Sequence, residues 1–384
     1  MRRIGVVTQS RSEYSILRPV LKRITADPDL QLVLYVGGMH LSPDFGNTET
    51  EIEYPIAERV ECLMSSDSPE GTGKSIGLTA MGFAQAFANN KPDILLVTGD
   101  RYEMFAAAAA AVPFGIPIVH LDGGALTYGA FDEQWRHAMT KLAHLHFCYT
   151  EENAIRVKQM GEEAWRVTMT GSPALDDIRP DKIWKHLDEC NLHITGDTLL
   201  VVFHSVTTEY EHTEEYINNL LAALLRINQP VIMIMPNSDM GGHIIIKAMR
   251  HFAEKYPKLA QAHANLWPDV FRGVMAYCGV MVGNSSAGIM EAPSFHLPVV
   301  NIGTRQAGRM HARNVIDVGY SVDNIANGVE LASRFYFRNS LDNLVNPYGD
   351  GHAAERIVDV LKTTPINEAL LIKKFSEGKH DQPI

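Results

Sequence analysis

Asp100, Asp122 and Asp132 sit at three successive element boundaries, and converging carboxylates are what proton transfer at a carbon or a leaving oxygen requires. Asp100 lies in Gly99-Asp100-Arg101, directly after the apolar run 94–97, which is too short for a helix and rich in branched residues, as a buried strand is. Residues 103–112 are alanine-rich and helical by propensity, and 117–121 is a second apolar strand ending in Asp122-Gly123-Gly124. A parallel strand, helix, strand unit brings both strand ends to one carboxyl edge, where open α/β folds bind ligands, so Asp100 and Asp122 are expected to approach one another. Asp132 opens the next amphipathic helix, 132–144. The bland alternative for Asp100 is a turn cap after a strand.

A second feature suits an anion. Gly283-Asn284-Ser285-Ser286-Ala287-Gly288-Ile289-Met290-Glu291 follows a strand and opens a helix, so small residues would let backbone amides approach a phosphate while Ser285 and Ser286 add donors. The spacing is neither Walker A nor the dinucleotide glycine pattern, and serine-rich N-caps also occur without ligands. Arg11, in the turn after the first strand, can reach a diphosphate bidentately or simply lie solvated.

These residues need a scaffold, and 384 residues with 46% hydrophobic content suffice for two ordinary domains. A formal net charge of -11 without a basic face argues against nucleic-acid binding. The four cysteines, Cys62, Cys148, Cys190 and Cys278, lie far apart with no CxxC pair, which suggests neither a disulfide framework nor a zinc site. Met1-Arg2-Arg3 leads into a strand without a signal-peptide core, and no apolar run reaches about 18 residues, so the expectation is a cytoplasmic protein without membrane attachment.

In chain order, 3–8 reads as a strand, the next helix runs to about Thr25, and 30–37 is a strand. The turn-rich stretch 39–77 reads as loops and short elements. Helices and strands then alternate through Thr170. After an interruption around Pro173 and Pro180 the rhythm restarts with strands at 199–203, 230–235, 280–282 and 298–302 and helices at 214–226 and 243–256. The expected architecture is α/β: two Rossmann-like, doubly wound domains facing across a cleft, 1–172 and 173–359, with a helical tail, 360–384, that could cross back onto the first.

Six motifs carry a resemblance that spans nearly the whole chain: Ser10-Arg11-Ser12-Glu13-Tyr14, Gly37-Gly38-Met39-His40-Leu41-Ser42-Pro43, Gly99-Asp100-Arg101-Tyr102-Glu103, Arg136-His137-Ala138-Met139-Thr140-Lys141-Leu142, Gly283-Asn284-Ser285-Ser286 and Asn346-Pro347-Tyr348-Gly349-Asp350-Gly351. Jointly they resemble the hydrolysing UDP-N-acetylglucosamine 2-epimerases that feed sialic and legionaminic acid biosynthesis. The resemblance implies a fold like the B-type glycosyltransferases, with nucleotide held mostly by the second domain, and conversion of UDP-N-acetylglucosamine and water to N-acetylmannosamine and UDP. It implies anti elimination of UDP to a 2-acetamidoglucal, followed by hydration with inversion at carbon 2. It further implies catalytic roles for Asp100, Asp122 and Asp132, with base and acid unassigned among them, and for His204 near the diphosphate. Binding positions implied for UDP or sugar are Arg11, Asn237, Asp239, Ser285, Ser286, Gly288, Arg305 and, at the ribose hydroxyls, Glu291. Arg136 and His137 are expected to orient Asp132. No cofactor or metal is implied as required, and the family's usual assembly implies a homodimer or a dimer of dimers.

The chain departs from the family's pattern at Gln9 and Ser15, where glycine is common, at Ser205, where proline is common, and at Ala125, where glutamate is common. Many relatives carry glutamate or histidine at the position of Asp122. Residues 64–69 and 39–45 look more like the subgroup acting on UDP-2,4-diacetamido-2,4,6-trideoxyglucose, which stands as the alternative substrate. A transferase of similar fold and a catalytically silent UDP-sugar sensor are further readings.

Overall fold

The computed structural model describes residues 1–64, 68–128, 131–178, 192–236 and 239–377. The chain forms two compact units: Met1–Ala125, Asp132–Asp177 and Tyr348–Ile384 make the first, and Leu126–Phe131 with Ile178–Pro347 the second. The first unit thus keeps the chain a few residues beyond 172 and takes it back from Tyr348, ahead of the expected return at 360.

The first unit is built on seven parallel strands: β1 (Arg2–Thr8), β2 (Leu30–Gly37), β3 (Ile56–Val60), β4 (Ile94–Thr98), β5 (Ile118–Leu121), β6 (Leu145–Cys148) and β7 (Val167–Met169). Their order is β3-β2-β1-β4-β5-β6-β7. Every residue of β4 and β5 is buried, as expected for parallel strands covered by helices on both faces. The helices are α1 (Arg11–Ala26), α2 (Pro69–Asn89), α3 (Tyr102–Ala111), α4 (Asp132–Leu142) and α5 (Glu151–Gln159). Ser10 caps α1 and Glu13 returns the bond to the cap backbone, a capping box that fixes where the turn after β1 ends. The alanines of α3 let it lie close to Phe83 and Phe87 of α2, which pack on Tyr35 and Val97.

The stretch 39–77 is more regular than its glycines and prolines suggest. Three short 3-10 turns are followed by β3 at the sheet edge, and α2 begins within the stretch at Pro69. Ser68 caps α2 and Pro69 occupies its first turn, where the missing N–H costs nothing. Gly73 and Gly77 lie on its exposed side, so Ser75, Thr79, Phe83 and Phe87 can anchor the other face.

The second unit has six parallel strands: β8 (Leu199–Val202), β9 (Val231–Ile234), β10 (Ala260–His263), β11 (Val280–Gly283), β12 (Val299–Ile302) and β13 (Val315–Val318), in the order β10-β9-β8-β11-β12-β13. The two edge strands escape a sequence reading because each is four residues long and largely half-exposed, with no apolar run to announce it. The helices α6 (Thr213–Ile227), α7 (Gly242–Lys255), α8 (Pro268–Tyr277), α9 (Ser286–Met290), α10 (Val322–Ser333) and α11 (Phe335–Asn339) complete the unit.

The tail contains α12 (Ala353–Thr363) and α13 (Glu368–Leu371) and packs on the first unit. Lys362 pairs with Asp27 at 2.9 Å, and the buried Arg166 donates to the carbonyls of Ala369, Leu370 and Ile372. Cys62, Cys148 and Cys278 are free, buried thiols; Cys190 lies outside the described residues. Among the described residues no helix is long and apolar enough to cross a membrane.

Candidate active site

In each sheet the strand order reverses direction at one place, between β1 and β4 in the first and between β8 and β11 in the second. Loops at the carboxyl ends of such neighbours splay apart and leave a crevice, the usual ligand position in open α/β sheets.

In the first unit the loops after β4 and β5 deliver Asp100 and Asp122 to one guanidinium. Arg136, fully buried on α4, donates through one terminal nitrogen to Asp100 Oδ2 and through the other to Asp122 Oδ2 at 2.5 Å and to the Asp122 carbonyl at 2.8 Å. Asp122 takes part with both backbone and side chain because its φ of 70° lies in the left-handed region, uncommon for a non-glycine residue. Burial alone would lower the pKa of Arg136, but attraction to Asp100 and then Asp122 more than offsets this, and the net shift is upward. Asp132 opens α4 one turn before Arg136, on the same helical face, and is partly exposed. Arg136 thus meets Asp100 and Asp122, the two carboxylates other than the Asp132 it was expected to orient. His137 pairs with Glu133 at 2.9 Å.

Arg11 is the first residue of α1, and its Nε lies 2.7 Å from a Glu51 carboxylate oxygen. A partner that the sequence reading did not include therefore holds it. Behind Arg11 lies Glu13, almost wholly buried, whose Oε2 accepts from the N–H groups of Gln9 at 2.7 Å and Ser10 at 3.1 Å while Oε1 has no hydrogen-bond partner. Burial raises its pKa from 4.5 to about 7, with Arg101 opposing and Glu103 adding to the rise. A carboxyl raised on folding stabilises the native state while it is protonated, so its contribution is full below about pH 4.5 and is lost as pH rises through 7. Glu13→Gln keeps the cap acceptor and removes the titration. In urea unfolding, the wild type should lose about 2–3 kcal/mol more than the variant between pH 5 and pH 8; parallel pH profiles would contradict this.

Gln9 is buried and fills the space beside Gly37 and Gly38, donating to the Glu103 carbonyl at 3.1 Å and accepting from the Cys62 thiol. Sequence reasoning missed Tyr149, a buried phenol whose pKa is raised by burial and further by the nearby Asp122. It also missed His120, buried within β5.

In the second unit the fully buried Asn284 side chain spans the reversal point. It accepts from the His204 N–H at 2.7 Å and donates to the His204 carbonyl at 2.9 Å, which sets the backbone that carries the imidazole. Gly283, with φ of 141°, could not be larger, since a Cβ would lie 2.0 Å from the Val202 carbonyl oxygen. Gly283→Ala should therefore cost roughly 3 kcal/mol. Calorimetric unfolding checks this; unchanged stability would show that the loop adapts.

The Asn284 carbonyl accepts from Gln306 at 2.8 Å and from Arg305 at 3.2 Å, and Arg305 lies 3.7 Å from Asp239. Gln306 was not foreseen, because its role depends on β12 lying beside β11. Ser285 caps α9 by accepting from the Ala287 N–H, and Ser286 is its first residue. The helix has only five residues, so its dipole is small, and phosphate affinity there would rest on local donors rather than on a long helix. Gly288 is explained by packing, since a Cβ would come within 3.0 Å of Val299. Glu291, expected at the ribose hydroxyls, follows directly on α9, mostly buried, 3.6 Å from the buried Arg272, and burial raises its pKa. Asn237 lies outside the described residues. Among the described residues no three His, Cys, Asp or Glu side chains are grouped to hold a metal ion.

A family model described as UDP-N-acetylglucosamine 2-epimerase matches residues 22–362. The chain belongs to this family. It is 36% identical over 380 residues to a UDP-N,N'-diacetylbacillosamine 2-epimerase (hydrolyzing) of Legionella pneumophila, covering 97% of this chain and 99% of the relative. It is 30% identical over 379 residues to a UDP-N-acetylglucosamine 2-epimerase of Neisseria meningitidis, covering 98% and 99% of the two chains. A crystal structure of UDP-GlcNAc 2-epimerase from Neisseria meningitidis bound to UDP-GlcNAc superposes with a TM-score of 0.79 at 20% identity, covering 94% of this chain and 99% of that one. This last likeness establishes that the epimerase chain has the family's α/β fold.

Proposed function

We propose that this chain is a hydrolysing 2-epimerase that converts UDP-2,4-diacetamido-2,4,6-trideoxyglucose and water to UDP and the free 2-epimeric sugar. The observation that carries the reading is the pair of carboxylates, Asp100 and Asp122, held on one buried arginine beside the helix that begins with Asp132. The proton on carbon 2 is not acidic in the ground state. It can be lost only as the bond from carbon 1 to UDP breaks and positive charge develops on the ring, and carboxylates stabilise that charge. One carboxylate takes the proton, the C2–H electron pair becomes the C1–C2 double bond, and UDP leaves with the C1–O pair, His204 donating towards the diphosphate. The C1–C2 π pair then takes a proton at carbon 2 from the opposite face, water oxygen bonds to carbon 1, and a carboxylate accepts the proton that the water loses.

UDP-N-acetylglucosamine, first among the substrates implied by the motifs, becomes the second reading. The relative of Neisseria meningitidis supports it at 30% identity, against 36% for the relative named for the diacetamido sugar. Under either reading the free sugar would enter nonulosonic (sialic or legionaminic) acid assembly, made by a cytoplasmic homodimer. Incubation with each UDP-sugar tests the proposal: UDP and the 2-epimeric sugar should form together, faster from the diacetamido substrate. Tight binding with no turnover of either would identify a sensor, and UDP release that depends on an acceptor other than water would identify a transferase.

A further inference from the structure

We propose that His120 is a positioning residue for the reaction, fixing the Gly99–Asp100 turn and α4 relative to one another so that Asp100 meets Arg136. The inference rests on the epimerase reading above. His120 lies on β5 with no exposed surface. Its Nε2 is 2.8 Å from the carbonyl oxygen of Gly99, and its Nδ1 is 3.1 Å from the Thr140 hydroxyl. A carbonyl can only accept, so Nε2 carries the proton and donates to Gly99. Burial pushes the imidazole pKa down to about 3, which leaves the ring neutral with Nδ1 as an acceptor. Thr140 then stands between two acceptors, His120 Nδ1 and, at 3.2 Å, the carbonyl of Arg136 itself.

One imidazole thus bonds both the turn that carries Asp100 and the helix that carries Asp132 and Arg136. Gly99 has φ of 76° and immediately precedes Asp100, so pulling its carbonyl sets the direction in which the next side chain leaves the turn. Thr140 belongs to the helix that carries Asp132 and Arg136. Gly123, next to Asp122, passes so close that a Cβ would lie 3.2 Å from His120 Nδ1 and 3.4 Å from Thr140 Oγ1. Polar groups inside a sheet core are retained when they have hydrogen-bond partners, and here each ring nitrogen has one within reach, Nδ1 sharing the Thr140 proton with the Arg136 carbonyl. A histidine serving only to fill the core would not need its bonds aimed at that turn and that helix.

The test compares His120→Asn, which loses the donor at the Nε2 position, with His120→Gln, which keeps a donor there, and with Thr140→Val. For His120→Asn the expected result is a kcat about 100-fold lower, with KM for the UDP-sugar and Kd for UDP within about twofold. A crystal structure of that variant should show the Asp100 carboxylate displaced from Arg136. His120→Gln should stay within roughly fivefold of wild type, and Thr140→Val should lower kcat without changing UDP affinity. Equal losses in Asn and Gln variants, or an unmoved Asp100 in the Asn variant, would overturn the proposal. Should His120→Asn not fold, Thr140→Val decides: full kcat there refutes the role. The wild-type enzyme run alongside separates the two readings, since absence of UDP release from it would count against the epimerase activity, while the position of Asp100 in the crystals still reports on His120.

Discussion

Replacing Arg136 by glutamine is expected to be the most damaging single change in the first unit. The guanidinium is fully buried and is the shared partner of Asp100 and Asp122. Its removal leaves two carboxylates close together without the cation between them, and breaking a buried pair on one side typically costs about 3–5 kcal/mol. The carboxylates would then separate or one would take up a proton, and either response disables proton transfer. Urea unfolding should show the lost stability, and turnover should fall by about 1,000-fold where folded protein remains. Arg136→Lys should fall between the two, because an ammonium group is a point charge that cannot reproduce the two-armed geometry. Stability within about 1 kcal/mol of wild type in the glutamine variant would mean that the arginine does not neutralise the pair.

Asp100→Asn should separate chemistry from folding. The amide keeps the shape and an acceptor for Arg136 but can neither carry a negative charge nor take a proton. The expected result is a kcat lower by about 100- to 10,000-fold, with UDP affinity unchanged and the melting temperature close to wild type. Asp122→Asn should behave similarly, since both acids meet the same guanidinium. If Asp100→Asn turned over at the wild-type rate, this acid would be structural and the proton would have to pass elsewhere.

Much of this was legible in the residues, and the limits have physical causes. The approach of Asp100 to Asp122 followed from two apolar runs and the geometry of parallel sheets, in which strand ends are neighbours by construction. That Arg136 joins them depended on the rotation of α4 about its axis, which periodicity alone leaves open. His120 was hidden because Ile118-Val119-His120-Leu121 reads simply as an apolar strand, and its importance comes from the carbonyl that faces it across to β4. The burial of Glu291 was not legible from the motif, because it depends on α9 ending just before it and on Arg272 of α8 lying 3.6 Å away. Edge strands β10 and β13 were missed for lack of apolar pattern, whereas the central strands, buried on both faces, announced themselves.

The pairing of Asn284 with His204 shows the same division. The motif Gly283-Asn284-Ser285-Ser286 suggested a phosphate loop, and its glycine does serve a close backbone approach. The asparagine, however, acts on the neighbouring strand end, a partner 80 positions away in the chain. The loop is therefore a device for setting His204 as much as a donor surface in its own right.

The most direct test of the account is to run the reaction in deuterium oxide with UDP-2,4-diacetamido-2,4,6-trideoxyglucose and to examine carbon 2 of the released sugar by NMR. Elimination followed by hydration should leave one solvent deuterium at carbon 2 in every product molecule, with the configuration there inverted and UDP formed in equal amount. A sugar that keeps its original hydrogen and configuration at carbon 2 would show simple hydrolysis, and would contradict the role assigned to the aspartates.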